Sequence, residues 1–85
     1  MGITIYKITG CNYCAKMEEL MRRADVEYQS FIVGKDITRD EFKKQHPSAT
    51  SYPYTVIDGV PVGGLVETVK LFVEKGLVRS KKNST

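Results

Sequence analysis

The stretch Ile3-Thr4-Ile5-Tyr6-Lys7-Ile8 is a β-branched and aromatic run with almost no polar alternation. Such a run suits a strand covered on both faces, so it reads as a central strand with helices packed above and below it. The run ends in Thr9-Gly10-Cys11-Asn12-Tyr13-Cys14, which holds both cysteines of the chain, and a helical pattern begins there.

From Tyr13 onward the apolar positions Tyr13, Met17, Leu20, Met21 and Ala24 recur at helical spacing, and Glu18 and Glu19 stand four residues before Arg22 and Arg23. A first helix over Asn12 to Ala24 follows, with its arginines at the end where the macrodipole favours cations. Glu27 to Val33 reads as a second strand, parallel to the first through that helical crossover. Thr38 and Glu41 have the spacing of a capping box, flanked by Ile37 and Phe42 as a hydrophobic staple, so a second helix starts at Thr38 and stops before Pro47. Tyr54 to Ile57 and Val60 to Val62 flank Asp58-Gly59, a turn that makes an antiparallel hairpin, and Pro61 assigns the second arm to a sheet edge. A last helix runs from Leu65 to Lys75, with Leu65, Val69, Phe72 and Val73 on one face, Gly76 just past its end and Leu77 placed to meet Phe72. The order β-α-β-α-β-β-α gives a four-stranded mixed sheet flanked by three helices, an α/β fold.

Eighty-five residues at 41% hydrophobic content support one domain with one core. Residues 1–78 form that domain, and residues 79–85, with Arg79, Lys81 and Lys82 and no apolar side chain, read as a basic polar tail without order. No charged-plus-apolar leader pattern and no apolar run of spanning length is present, which makes the cytoplasm the expected location and a membrane an unexpected partner. The formal charge of +3 lies largely in the tail, and no aromatic-interleaved basic patch accompanies it, so nucleic acid is not an expected partner either. In a reducing compartment a pair of cysteines points to a cycling thiol pair rather than a staple.

A helix that opens just after Cys11 directs its unsatisfied N–H groups and its positive dipole end at that sulfur, which favours thiolate over thiol. Cys11 is therefore expected to be the reactive cysteine. Cys14, inside the first turn, is expected to be buried and close enough to attack a mixed disulfide formed on Cys11, as the resolving thiol.

In these residues and their spacing the chain resembles a glutaredoxin over nearly its whole length. Ile3-Thr4-Ile5-Tyr6 leading into Cys11-Asn12-Tyr13-Cys14 is similar to the family's first strand and motif. Thr38-Arg39-Asp40-Glu41-Phe42 resembles its second helix, Ser51-Tyr52-Pro53 its cis-proline segment, and Ile57-Asp58-Gly59 through Gly63-Gly64 its hairpin and double glycine. The resemblance implies a thioredoxin-like fold, a monomer, and a thiol–disulfide oxidoreductase that reduces protein disulfides and glutathione mixed disulfides in cell redox homeostasis. Its implied partners are glutathione, as electron donor, and disulfide-bearing or glutathionylated proteins such as a ribonucleotide reductase. Asn12 stands where many members have proline, Ile8 where a glutathione-contacting lysine is expected with Lys7 adjacent, and Val66 where an aspartate usually meets the glutathione amino group. These departures imply a weaker grip on the charged groups of glutathione.

Each further site residue has a plainer reading beside the one the resemblance implies. Tyr52-Pro53 is a turn before a strand, or a cis bond that leaves the Tyr52 backbone free to hold a peptide or glutathione as an added strand. Gly63-Gly64 is a tight turn, or a close approach for a ligand whose γ-glutamyl carboxylate meets the Leu65 and Val66 amides at a helix start. Tyr13 lines a groove or packs on its own helix, and Arg39 holds the glycine carboxylate of glutathione or is solvated. His46, the only histidine, sits at the end of the second helix as a dipole partner or solvent group rather than a base. Three other functions compete: a glutathione-ligated [2Fe–2S] cluster shared between two chains, which Asn12 permits; a small redoxin reduced by thioredoxin reductase; and an interaction module with incidental cysteines. A zinc site is not expected, since beside the cysteine pair one chain offers only one histidine toward a tetrahedral shell.

Overall fold

The computed structural model describes residues 2–78, so the expected tail over residues 79–85 lies outside the described part. The elements follow the anticipated order: β1 (Ile3–Lys7), α1 (Asn12–Ala24), β2 (Gln29–Ile32), α2 (Arg39–Gln45), β3 (Tyr54–Ile57), β4 (Val60–Gly63) and α3 (Leu65–Glu74). They build one four-stranded sheet in the order β2-β1-β3-β4, with β1 parallel to β2 and antiparallel to β3, and β3 antiparallel to β4. The thioredoxin-like architecture is thus the observed one.

Alternation along β1 divides the core. Ile3 and Ile5 face α1 and α3, in a cluster with Met17, Leu20, Met21, Ala24, Ile57 and Phe72. Tyr6 faces the other way, with Val33, Phe42, Ala49, Tyr54 and Val56 beneath α2. Because β1 is flanked by β2 and β3 and covered on both faces, its nearly unbroken apolar sequence is explained.

The helix ends are held as the sequence suggests, with one addition. Thr38 caps α2 by accepting the Glu41 N–H at 3.1 Å, and Ile37 packs on the cluster that contains Phe42. Past α3, the Leu77 amide donates to the Phe72 carbonyl at 2.8 Å and the Gly76 amide to the Val73 carbonyl at 3.0 Å. This closure needs a left-handed residue, and Gly76 has φ 75. The same closure ends α1 at Asp25, φ 56, with the Asp25 and Val26 amides donating to the Arg22 and Met21 carbonyls. No glycine marks it, but aspartate tolerates that backbone better than most residues do.

Five boundaries and contacts differ from the sequence reading. β2 is shorter than Glu27 to Val33, because a tight turn takes over at its end: Asp36 accepts the Ile32 amide at 2.9 Å and the Gly34 amide donates to the Ile37 carbonyl at 2.7 Å. β1 stops at Lys7 and α3 at Glu74, each one residue early. Val62 is left over between the pairs Thr55↔Gly63 and Val56↔Pro61, so the hairpin carries a bulge on its edge arm. Tyr13 is not part of the buried stripe of α1: it is 62% exposed, and Cys14 occupies the core-facing place in that turn.

Candidate active site

Strand directions put the chemistry at one pole. β1 runs toward the cysteine loop, β3 runs away from Pro53, and β4 ends at Gly63, so the starts of α1 and α3 and the Tyr52-Pro53 segment all lie at the same end of the sheet. A larger cavity, about 420 Å³, lies at the opposite pole beside Glu27, Tyr28 and Asp58. The length of the strands separates it from both sulfurs.

Cys11 and Cys14 are joined as a disulfide, with their Cα atoms 5.2 Å apart. Cys11 is the residue before α1, in extended conformation, and its sulfur accepts the Cys14 amide at 3.1 Å. No acidic side chain lies in the first turn of α1, while Arg22 and Arg23 lie in the last. Backbone N–H and dipole therefore act on Cys11 without a nearby carboxylate on that turn to oppose them. Cys11 is half-buried, whereas Cys14 is only 3% exposed. Of the two, Cys11 is the more accessible to solvent.

The Tyr52-Pro53 bond is cis, Pro53 is buried and Tyr52 half-buried. β3 begins at Tyr54, so Tyr52 stands outside the ladder, and among the described residues no hydrogen bond uses its backbone amide or carbonyl. Gly64 is its neighbour across the site: a β-carbon there would lie 3.7 Å from the Pro53 carbonyl oxygen. Leu65 packs on the core cluster of α1 and α3, while Val66 is 63% exposed. Tyr13 and Val66 thus leave two bare apolar side chains on the first turns of α1 and α3. Arg39 and Tyr52 meet in a separate cavity of about 220 Å³, lined also by Phe42, Lys43 and the 49–51 loop. The cysteines do not line it.

Three charged or titratable groups take roles that the sequence did not indicate. Lys7 is not a free cation beside the site, because its ammonium pairs with Glu18 at 2.7 Å, both side chains about one quarter exposed. Glu18 is thereby withdrawn from Arg22, and only Glu19 keeps its helical partner, Arg23, at 3.1 Å on the surface. The third is Glu67, whose carboxylate accepts the Gly64 amide at 3.1 Å while the Thr68 hydroxyl donates to the Gly64 carbonyl at 2.8 Å. The Gly-x-x-Glu spacing is that of a capping box lacking its N-cap side chain, which is the signal that would have found it.

His46 caps the end of α2 and lies among aromatic rings, with centroid distances of 5.0 Å to Tyr6, 5.3 Å to Tyr54 and 5.6 Å to Phe42. Burial lowers its pKa below the ordinary value of 6.5. The unfolded chain then binds the proton more readily than the native one, so this contribution to stability is present above pH 6.5 and fades as pH falls through the native pKa. Chemical denaturation from pH 7.5 down to 5 should show that loss, and His46→Gln should flatten it. An unchanged slope in the variant would remove His46 as its source.

Among the described residues no three His, Cys, Asp or Glu side chains cluster as a metal-ligand set.

Comparison with known proteins agrees with this geometry. The family model described as Glutaredoxin matches residues 3–62. The curated Glutaredoxin 1 of Rickettsia bellii is 28% identical over 67 residues, covering 74% of this chain and 68% of that protein. Two solved structures share the fold: Glutaredoxin 1 from Francisella tularensis complexed with cacodylate, at TM-score 0.71 and 22% identity over 89% of this chain and 95% of that one, and the buckwheat glutaredoxin–glutathione complex, at TM-score 0.71 and 19% identity over 88% and 71%. A family match spanning most of the chain, set on a strand-loop-helix corner that carries its cysteine pair, makes this protein a member of the glutaredoxin family and a thiol–disulfide oxidoreductase.

Proposed function

We propose that the chain reduces both glutathione mixed disulfides and protein disulfides, with glutathione as its electron donor, Cys11 as nucleophile and Cys14 as resolving thiol. The observation that carries this reading is the asymmetry of the pair: Cys11 is accessible and accepts a helix amide, and Cys14 is buried one turn inside. On a glutathionylated protein, the Cys11 thiolate attacks the glutathione sulfur, forming a Cys11–glutathione disulfide and expelling the protein thiolate. A second glutathione thiolate then attacks that bond, releasing oxidised glutathione and restoring Cys11. On a protein disulfide, Cys11 forms a mixed disulfide with one protein sulfur and the other leaves as thiolate. Cys14 then attacks Cys11, closing the intramolecular disulfide and releasing the second protein sulfur, and two glutathiones reopen the ring.

Glutathione is laid across the Tyr52 backbone as a short added strand, next to buried Pro53, with its γ-glutamyl end toward Gly64, Leu65 and Val66. Tyr13 flanks the opening, and the glycine carboxylate lies toward Arg39, whose cavity opens against Tyr52. The grip remains weaker than in a fully charged site, because Ile8 and Val66 offer no ion and Lys7 is already paired with Glu18. Each exposed ionic contact forgone costs roughly 0.2–1 kcal/mol, which for two contacts is a several-fold to tens-fold loss of affinity.

The test is turnover of a glutathionylated peptide with two electron sources compared at equal protein concentration. Glutathione with glutathione reductase is expected to sustain it, with a KM in the upper part of the ordinary range of enzyme KM values, about 1 mM. Turnover sustained by thioredoxin reductase alone would replace this reading with that of a small thioredoxin-like reductant.

A further inference from the structure

We propose that Lys7 and Glu18 are positioning residues for the cysteine pair: their ion pair ties the end of β1 to α1 beneath the disulfide, and Glu18 keeps the Lys7 charge from making the thiols more acidic. The inference rests on the proposed reading of Cys11 as nucleophile and deepens it.

Alternation along β1 puts Lys7 on the face of Ile3 and Ile5, which α1 covers, and opposite to Tyr6. The β1–β3 pair Tyr6↔Tyr54 sets Lys7, one residue further on, alongside Pro53 at the cysteine end of the sheet. On α1, Glu18 follows Cys14 by four residues, which brings their β-carbons to about 5–6 Å on one face, and a helical side chain leans over the turn that precedes it. That turn is the one in which buried Cys14 faces the core. Ammonium and carboxylate therefore meet, at 2.7 Å, between the strand end and the turn that carries the disulfide.

An unpaired ammonium at this place, four residues before Cys11 and partly out of water, would favour thiolate at both sulfurs, and an unpaired carboxylate would oppose it. Paired, the two largely cancel, which leaves the α1 amides and dipole as the main influence on Cys11. The side chains are 23% and 25% exposed, against 58% and 53% for Arg23 and Glu19, so salt and water screen this pair less than its surface neighbour. The other charges around the corner are Lys16, exposed on α1, Glu67, held on the Gly64 amide at 3.1 Å, and Arg39, in the cavity that the cysteines do not line. All three stay constant when only Lys7 and Glu18 are changed.

The experiment titrates the Cys11 thiolate, by its ultraviolet absorbance and by the pH profile of alkylation, in a Cys14→Ser background that leaves one thiol. Glu18→Gln is expected to lower the midpoint and Lys7→Met to raise it, each by roughly half a pH unit, and the double variant to return close to the parent. Glu19→Gln, on the exposed pair, should leave it in place. In the two-cysteine protein, equilibrium with a glutathione redox buffer should move by about three-fold toward the dithiol in Glu18→Gln and toward the disulfide in Lys7→Met, the same half unit expressed as an equilibrium constant. Loss of either partner loosens the same tie, so a merely structural role would move both single variants in one direction. Shifts of equal sign, reversed signs or no shift overturn the inference. If Cys11 of the parent titrates at the ordinary thiol value of about 8.5, the reading of Cys11 as an activated nucleophile fails, and the differences among the variants still decide the role of the pair.

Discussion

Cys11→Ser is expected to reduce turnover on every disulfide substrate to the uncatalysed background, while Cys14→Ser keeps turnover on a glutathionylated peptide and loses reduction of intramolecular protein disulfides. Serine at position 11 retains an atom at the α1 N-terminus but no thiolate at neutral pH, and the attacking group is the thiolate. The helix amides that favour a charged sulfur cannot make a hydroxyl with a far higher pKa into an equivalent nucleophile. Cys14 contributes differently. The residue is 3% exposed and its amide donates to the Cys11 sulfur at 3.1 Å, so it is placed to attack only what is already bonded to Cys11. Its own amide remains in the serine variant, which leaves the electrostatics at Cys11 largely intact. A glutathionylated substrate leaves only a glutathionyl group on Cys11, which a second glutathione removes without a resolving thiol, whereas a protein disulfide leaves the variant trapped as a covalent mixed disulfide. Mass spectrometry of the quenched reaction should find that adduct on Cys14→Ser alone. Equal loss of glutathionylated-peptide turnover in both variants would overturn the division of labour.

Most of the fold was legible because local signals agreed with one another. The unbroken apolar β1 required cover on both faces, and the structure supplies α1 and α3 on one face and α2 on the other. Gly76 and Leu77 foretold the end of α3 because the chain reversal there needs a left-handed residue and a following apolar anchor. What was not legible depended on distance in three dimensions. Periodicity placed Tyr13 on the buried stripe of α1, but Cys14 takes the core-facing place in that turn and Tyr13 is left exposed. Glu18 has an arginine four residues on, yet it pairs with Lys7, eleven residues back, because β1 delivers that ammonium against α1. The double glycine signalled a close approach correctly, but not that the first side chain to use it belongs to Glu67. Nor did the sequence gather His46 into the aromatic group, since its ring neighbours come from β1, β3 and α2 together.

That aromatic group is the support for the outer half of the site, which makes Phe42→Ala the second large effect expected. Phe42 is 2% exposed, with ring centroids 5.0 Å from Tyr6, 5.5 Å from Tyr52 and 5.9 Å from Tyr54. Truncating a buried phenylalanine costs about 3–5 kcal/mol, a large share of the roughly 5–15 kcal/mol that holds a domain together. Melting should fall by about 4–8 °C for each kcal/mol lost in a domain of this size. Phe72→Ala, fully buried on the opposite face of the sheet, should be destabilised to a similar degree. Function separates the two. Phe42 lines the cavity shared by Arg39 and Tyr52 and packs on the Tyr52 ring, so its loss loosens the segment expected to receive the peptide backbone. Phe72 touches neither wall of that cavity. At a temperature where both variants remain folded, or with the gentler pair Phe42→Leu and Phe72→Leu, KM for a glutathionylated peptide should rise in the Phe42 variant several-fold more than in the Phe72 variant. The cysteine corner stands on α1 and the other core cluster, so kcat should change little in the Phe42 variant. Equal rises in KM would mean that general loosening, rather than the wall beneath Tyr52, governs how the substrate is held.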